Sequence, residues 1–172
     1  MNTNNEKNAS ALVRKPSSAV EKAALGAKLI LSGMVADALA LEKKARPPRI
    51  IVVDDELLLL ELYEVLIRAC FKNATVLTFD DGERAWQEIL RTAPDLLITD
   101  MNRLGLNGAK MLPLLARKKV RFPIFVVSGT ATEKDVRECA GSELNVSFMS
   151  KPFDVEVFKK YLETTLKTHH SP

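Results

Sequence analysis

Four apolar runs in this sequence end in residues able to do chemistry. Asp54-Asp55 follows Ile50-Ile51-Val52-Val53, Asp100 follows Leu96-Leu97-Ile98-Thr99, Ser128 follows Phe125-Val126-Val127, and Lys151 follows Phe148-Met149-Ser150. Brought to one place, the three carboxylates repel one another, and a hard divalent cation with oxygen ligands relieves that repulsion. Magnesium suits the set, because it keeps several waters and so leaves coordination positions for phosphate oxygens. A lysine ammonium and a serine hydroxyl facing the metal would hold the remaining oxygens of a phosphoryl group on Asp100. Taken alone, an Asp-Asp pair after a strand is adequately explained as a helix cap. Asp80-Asp81 is such a case, since Gly82 and a helical pattern follow it, and no chemistry is assigned to it.

The elements that must position these groups are legible in the same runs. Residues 50–53, 96–98 and 124–127 are continuous apolar stretches with β-branched members, as expected of central parallel strands covered on both faces. Residues 75–79 and 145–149 mix polar with apolar positions, which suits sheet edges. Helical segments are predicted at 56–71, 82–92, 109–119, 132–140 and 154–167, with Pro113 expected to kink or delay the third. In the last, Val155, Phe158, Leu162 and Leu166 recur at helical spacing behind a capping Asp154. A βα unit repeated five times predicts an α/β fold: a doubly wound five-stranded parallel sheet, flavodoxin-like, in the order 2-1-3-4-5. Functional groups collect at the carboxyl ends of such strands, where the four motifs fall.

With 172 residues the chain has room for one well-buried core and an appendage. A composition of 47% hydrophobic and 27% charged residues excludes collagen-like, low-complexity and wholly disordered classes. Cys70 and Cys139 lack the spacing of a disulfide scaffold or zinc site and are read, with Trp86, as packing residues. Residues 1–16 are a polar lead-in expected to be disordered, residues 17–46 a helix and linker, residues 47–168 the α/β domain, and residues 169–172 a tail holding His169-His170. Val20, Ala24, Ala27, Leu31, Met34, Ala38 and Leu41 form a heptad seam that Ser17 or Ser18 caps, and Pro47-Pro48 ends the linker.

The basic excess belongs to this arm: residues 1–46 carry 8 Lys+Arg against 4 Asp+Glu, residues 47–172 carry 17 against 18. Glu21, Asp37 and Glu42 interrupt the arm's positive charge and it offers no aromatic stacking surface, so nucleic acid is not expected as a partner. The apolar run 29–36 lies between Lys28 and Asp37, too short to span a membrane and too interrupted for a secretory signal, so a cytoplasmic location is expected. The seam, with Gly26 and Gly33 in or beside it, needs a protein partner, and a homodimer through paired helices is the preferred one over docking elsewhere.

Residues 49 to 168 resemble the receiver domain of two-component response regulators, CheY-like and stand-alone here, with an N-terminal helical extension. The motifs carrying the resemblance are Ile50-Ile51-Val52-Val53-Asp54-Asp55-Glu56, Leu96-Leu97-Ile98-Thr99-Asp100, Asn107-Gly108, Val126-Val127-Ser128-Gly129 and Ser150-Lys151-Pro152-Phe153. The resemblance implies that Asp100 is the phospho-acceptor, that Asp54 and Asp55 hold Mg2+ with Asp100, and that Asn102 lends its backbone carbonyl to the metal. It further implies Ser128 as the switch hydroxyl, Phe148 as the rotating aromatic, Lys151 as the family's lysine and Lys151-Pro152 as a cis peptide. The family usually has Met-Pro where this chain has Arg103-Leu104.

A phosphorelay switch without its own output domain is therefore expected, taking a phosphoryl group from a histidine kinase or histidine phosphotransfer protein and acting on a downstream protein target. It is not expected to act as an enzyme on other molecules. An aspartate-nucleophile phosphatase needs a second Asp where Asn102 stands, and a dinucleotide site lacks its Gly-rich turn after the first strand. A passive interaction module of the same fold is the alternative, suggested by Arg103-Leu104. The four leucines Leu57 to Leu60 cannot all face the sheet; they either overlap neighbouring helices or form a docking patch beside the acidic residues.

Overall fold

Runs of β-branched and aliphatic residues can be buried on both sides only if helices cover both faces of the sheet they form. In a computed structural model of the protein, which describes Leu25 and residues 27–37, 46–102 and 105–170, the runs do this. The strands are β1 (Arg49–Val53), β2 (Thr75–Phe79), β3 (Leu96–Thr99), β4 (Ile124–Ser128) and β5 (Val146–Ser150). They alternate with the helices α1 (Leu57–Cys70), α2 (Gly82–Arg91), α3 (Gly108–Arg117), α4 (Glu133–Ala140) and α5 (Val155–His170). All pairings are parallel and the order is β2-β1-β3-β4-β5, as the pattern of buried and mixed runs predicts.

Alternation along each central strand divides the core in two. Ile50, Val52, Leu96, Ile98, Phe125 and Val127 face α1 and α5, where Leu60, Tyr63, Ile67, Phe158, Leu162 and Leu166 cover them. Ile51, Val53, Leu97, Ile124 and Val126 face α2, α3 and α4, which contribute Ala85, Ile89, Met111, Leu112, Leu115 and Val136. The edge strands β2 and β5 are only half-buried along most of their length.

Helix ends follow local chemistry. Asp81 caps α2 by accepting from the Arg84 amide at 2.9 Å, Asn107 caps α3 by accepting from the Lys110 amide at 3.1 Å, and Thr132 with Asp135 forms a capping box on α4. Helix α3 runs through Pro113 and stops at Arg117, earlier than its pattern suggested, because Lys119 adopts a left-handed φ of 53°. Helix α5 continues to His170, past the expected end at Lys167. At the amino end of the sheet Asp95 accepts both Arg46 guanidinium nitrogens at 2.7 Å and the Arg49 amide at 2.7 Å, fastening the start of β3 to the residues that lead into β1.

The chain divides into two compact units, residues 1–42 and 43–172. In the first, Leu25 and residues 27–37 are helical, taking in Ala27, Leu31 and Met34 of the heptad seam; Val20, Ala24, Ala38 and Leu41 lie outside the described residues, as does the expected lead-in at 1–16. The ring of Phe158 is fully buried and packs on Phe153, Tyr63 and Phe125 at 5.2, 5.5 and 5.7 Å. Phe158→Ala is expected to destabilise the protein by about 3–5 kcal/mol, read as a fall in the urea midpoint, whereas Val157→Ala next to it on the exposed face should change it by less than about 0.5 kcal/mol.

Candidate functional site

Parallel register sets the carboxyl ends of the three central strands side by side. The Asp54 amide donates to Phe79 O at 3.1 Å, the Asp100 amide to Val53 O at 3.0 Å and the Lys151 amide to Ser128 O at 2.9 Å, so the ladder continues one step beyond the strands and carries the polar residues with it. Asp54, Asp55 and Asp100 each present an oxygen within 4.8 Å of the others'. Asp54 is 1% exposed and Asp100 8%, while Asp55 faces solvent. Buried, exposed and hard, these oxygens suit a small divalent cation that keeps part of its water shell.

The lysine is the counter-charge. Lys151 Nζ donates to Asp54 Oδ2 at 2.8 Å and to Glu56 Oε1 at 3.4 Å, and lies 3.6 Å from Asp100 Oδ2. Sequence reasoning puts this ammonium opposite the metal, on the phosphoryl side; the geometry adds that it also hydrogen-bonds Asp54, one of the three clustered carboxylates. Burial pushes the Asp54 carboxyl above its usual range, against the Lys151 hydrogen bond and the Glu56 amide. Burial pulls Lys151 down, but the hydrogen bond and charge of Asp54, with Asp100 and Glu56, outweigh it and hold the ammonium above its usual value. The pair is therefore unequal: the lysine stays charged, and Asp54 is the strained partner.

Asp100 is held asymmetrically. Its Oδ1 accepts from the Met101 amide at 2.6 Å and the Asn102 amide at 3.4 Å, leaving Oδ2 turned towards Lys151. Its carbonyl accepts from the Gly108 amide at 3.1 Å and the Thr99 hydroxyl at 3.1 Å. A Cβ at residue 108 would sit 2.6 Å from that carbonyl and 3.0 Å from Met101 Cα, so only glycine lets α3 start this close to the end of β3. Ser128 is 1% exposed, and its Oγ has no hydrogen-bond partner among the described residues.

The structure thus brings Asp54, Asp55, Asp100 and Lys151 into one pocket, with Ser128 at the adjoining strand end. Phe148 sits on β5 opposite Val126, half-buried against the α2–α4 side of the core. The Lys151-Pro152 bond is cis. Arg103-Leu104 lies outside the described residues. The run of four leucines splits: Leu60 is buried, Leu59 half-buried, and Leu57 and Leu58 exposed, Leu58 to 81%. Sequence reasoning missed Thr130, whose Oγ1 accepts from the Asn102 side-chain amide at 2.8 Å, joining the loops after β3 and β4. Its position two residues after Ser128, matching that of Asn102 after Asp100, was the available signal.

The sequence matches the family described as response regulator receiver domain over residues 50–163. It is 31% identical over 106 residues to the alkaline phosphatase synthesis transcriptional regulatory protein PhoP of Bacillus subtilis, covering 61% of this chain and 42% of that one. It is 26% identical over 121 residues to the sensory transduction protein LytT of the same organism, covering 70% and 49%. The chain therefore spans less than half of either relative. Among solved structures, the signal receiver domain of a LuxO repressor protein from Vibrio parahaemolyticus superposes with a TM-score of 0.63 at 20% identity, covering 72% of this chain and 92% of that one. A CheY-like receiver domain protein from Methanospirillum hungatei gives 0.63 at 15% identity, covering 72% and 96%.

The raised Asp54 carboxyl carries a sign. Protonating it favours the fold, a contribution complete below its ordinary value of 3.8 and lost as pH rises through the elevated folded value. At neutral pH its ionised form is a load on the fold. Asp54→Asn is expected to melt about 2–4 °C higher than the parent at pH 7 and to lose any stabilisation by magnesium, both read by calorimetry. A clearly lower melting temperature would mean that the Lys151 pairing outweighs the burial of Asp54.

Proposed function

The chain belongs to the response regulator receiver family, and from that premise we propose that it is a phospho-accepting switch, taking a phosphoryl group onto Asp100 from a histidine kinase or histidine phosphotransfer protein. The observation that carries the reading is the asymmetry of Asp100, with one oxygen held by two backbone amides and the other directed at the Lys151 ammonium. Oδ2 is the nucleophile. As its bond to phosphorus forms, the donor's N–P bond breaks and the imidazole leaves with the electron pair. Lys151 turns from Asp54 to the incoming phosphoryl oxygens, and the Ser128 hydroxyl donates to another.

Asp54, Asp55, Asp100 and the Asn102 carbonyl would hold Mg2+, which when bound offsets the charge spread over the phosphoryl oxygens. Phe148 is the aromatic we assign to follow Ser128, changing the β5 surface that a downstream protein reads. The chemistry we assign is confined to Asp100 itself: transfer in, and hydrolysis out as a water oxygen bonds to phosphorus and the acyl phosphate opens.

Exposed Leu57 and Leu58 support docking of the donor beside the pocket. A cavity of about 320 Å³ beside Lys151 is lined by Glu56, Leu59, Leu62, Pro152, Phe153 and Val155. No helix among the described residues is long and apolar enough to cross a membrane; we place the protein in the cytoplasm, where kinase and target meet it. Pairing of two copies through the heptad seam is the assembly we assign to the N-terminal helix.

Two measurements test this. Incubation of the full chain with magnesium and acetyl phosphate is expected to add one phosphoryl group by intact mass, with none on Asp100→Asn or after chelation of the metal; a folded parent protein that stays unmodified contradicts the reading. Leu58→Ser is expected to slow transfer from a histidine phosphotransfer protein by about tenfold or more while leaving labelling by acetyl phosphate unchanged.

A further inference from the structure

Exposed cations on the helices of the α/β domain commonly have a carboxylate one turn away: Arg68 has Glu64, Arg84 has Asp80, Arg137 has Glu133 and Lys167 has Glu163. Residues 117–121 depart from this. Arg117, Lys118, Lys119 and Arg121 hold four of the 17 Lys+Arg of residues 47–172, all four are exposed, and none makes a salt bridge or side-chain hydrogen bond among the described residues. The helix dipole accounts for Arg117 in the last turn of α3, but Lys119 and Arg121 lie beyond the helix end.

Lys119 is also unfavourable where it stands. Its amide donates to Ala116 O at 2.9 Å and the Val120 amide to Leu115 O at 3.3 Å, the pair of bonds that closes a helix around a left-handed residue, ordinarily glycine. Here φ is 53° and the residue is a lysine. The conformation places it on a cavity. About 350 Å³ opens between the end of α3 and the connection from α4 to β5, at the amino ends of β4 and β5. Ala116, Val120 and Leu144 give it apolar walls, Lys119 and Arg121 two cations, and Glu143 a carboxylate that likewise has no ion pair among the described residues. The acidic pocket lies at the other end of the same strands, with the length of β4, about 13 Å, between them.

We propose that this cavity binds a nucleoside phosphate, with Lys119 and Arg121 on the phosphate oxygens, Glu143 accepting from the ribose hydroxyls, and Ala116, Val120 and Leu144 against the base. Two cations without counter-charges suit a polyanion, and a guanidinium matches phosphate oxygens two at a time. Arg117 and Lys118 beside them add to the positive field that draws an anion in. Glu143 narrows the class: a carboxylate repels a bare polyphosphate or an acidic peptide, and it accepts from hydroxyl donors held away from the phosphates. The volume is at the lower end of small-ligand sites and has room for one nucleotide. The site is independent of Asp100 and of its role as phospho-acceptor.

The experiment titrates the full chain with adenosine and guanosine triphosphates by calorimetry in the presence of a chelator, so that no divalent cation draws phosphates to the acidic pocket, and follows backbone amides by NMR. Shifts are expected at residues 116–121 and 143–144 and not at Asp54, Asp55 or Asp100. Inorganic tripolyphosphate, hexaglutamate and the dideoxyribose form of the better nucleotide should each bind about tenfold more weakly, and Glu143→Ala should erase the difference between the ribose and dideoxyribose forms. Arg121→Gln should bind nucleotide about tenfold more weakly. Lys119→Gly removes the cation while supplying the residue that the left-handed φ favours; it should lose binding by a similar factor yet melt at or above the parent. The proposal is overturned if neither nucleotide binds, if the shifts fall on the acidic pocket, or if tripolyphosphate or hexaglutamate binds as tightly as nucleotide. It is equally overturned if Lys119→Gly binds nucleotide as the parent does or melts below it.

Discussion

One ammonium group holds the carboxyl end of this sheet together. Lys151 meets Asp54, Glu56 and Asp100 within hydrogen-bond or ion-pair distance, and Asp55 adds a further carboxylate at the rim. One positive charge among four negative ones leaves the pocket short of positive charge, and burial makes that shortage costly because little water reaches Asp54 or Asp100. The rise in the Asp54 carboxyl records the cost. A divalent cation would relieve it, and an incoming anion that draws the lysine away from Asp54 would deepen the need for that cation. The pocket is thus built to respond to charge.

The fold provides what this arrangement requires. Asp54, Asp100 and Lys151 reach one point because each follows a strand whose last backbone hydrogen bonds lock it to a neighbour. The strands are rigid because both faces of β1, β3 and β4 are buried, with helices packed on either side. Gly108 lets α3 begin against the Asp100 carbonyl, so a main-chain hydrogen bond fastens the end of β3 to the start of α3. The same economy explains the aromatic cluster on the other face. Phe153 stacks on Tyr63 and Phe158, so the turn bearing Lys151 packs directly on α1 and α5.

Much of this was legible from residue order. Continuous runs such as Ile50-Ile51-Val52-Val53 identify central strands because only burial on both faces tolerates them, and mixed runs such as residues 75–79 identify edges. The clustered carboxylates and Lys151 followed from those strands through the rule that parallel sheets concentrate function at one end. Contacts fixed by side-chain direction were not legible. The Asn102 to Thr130 hydrogen bond joins two loops of irregular backbone, the Lys151 preference for Asp54 depends on a few tenths of an ångström, and Tyr63 reads in sequence as one more apolar position on α1. The early end of α3 was hidden for a similar reason, since nothing in its composition marks Lys119 as left-handed.

The central claim is that Lys151 and a divalent cation compete for Asp54. Its most direct test is the magnesium affinity of the full chain and of Lys151→Met, measured by titration calorimetry at neutral pH with the fold of both checked by circular dichroism. The neutral side chain keeps the length of the lysine stem and removes the hydrogen bond to Asp54, so magnesium should bind severalfold more tightly to Lys151→Met. Equal or weaker binding by a folded Lys151→Met protein would contradict the account.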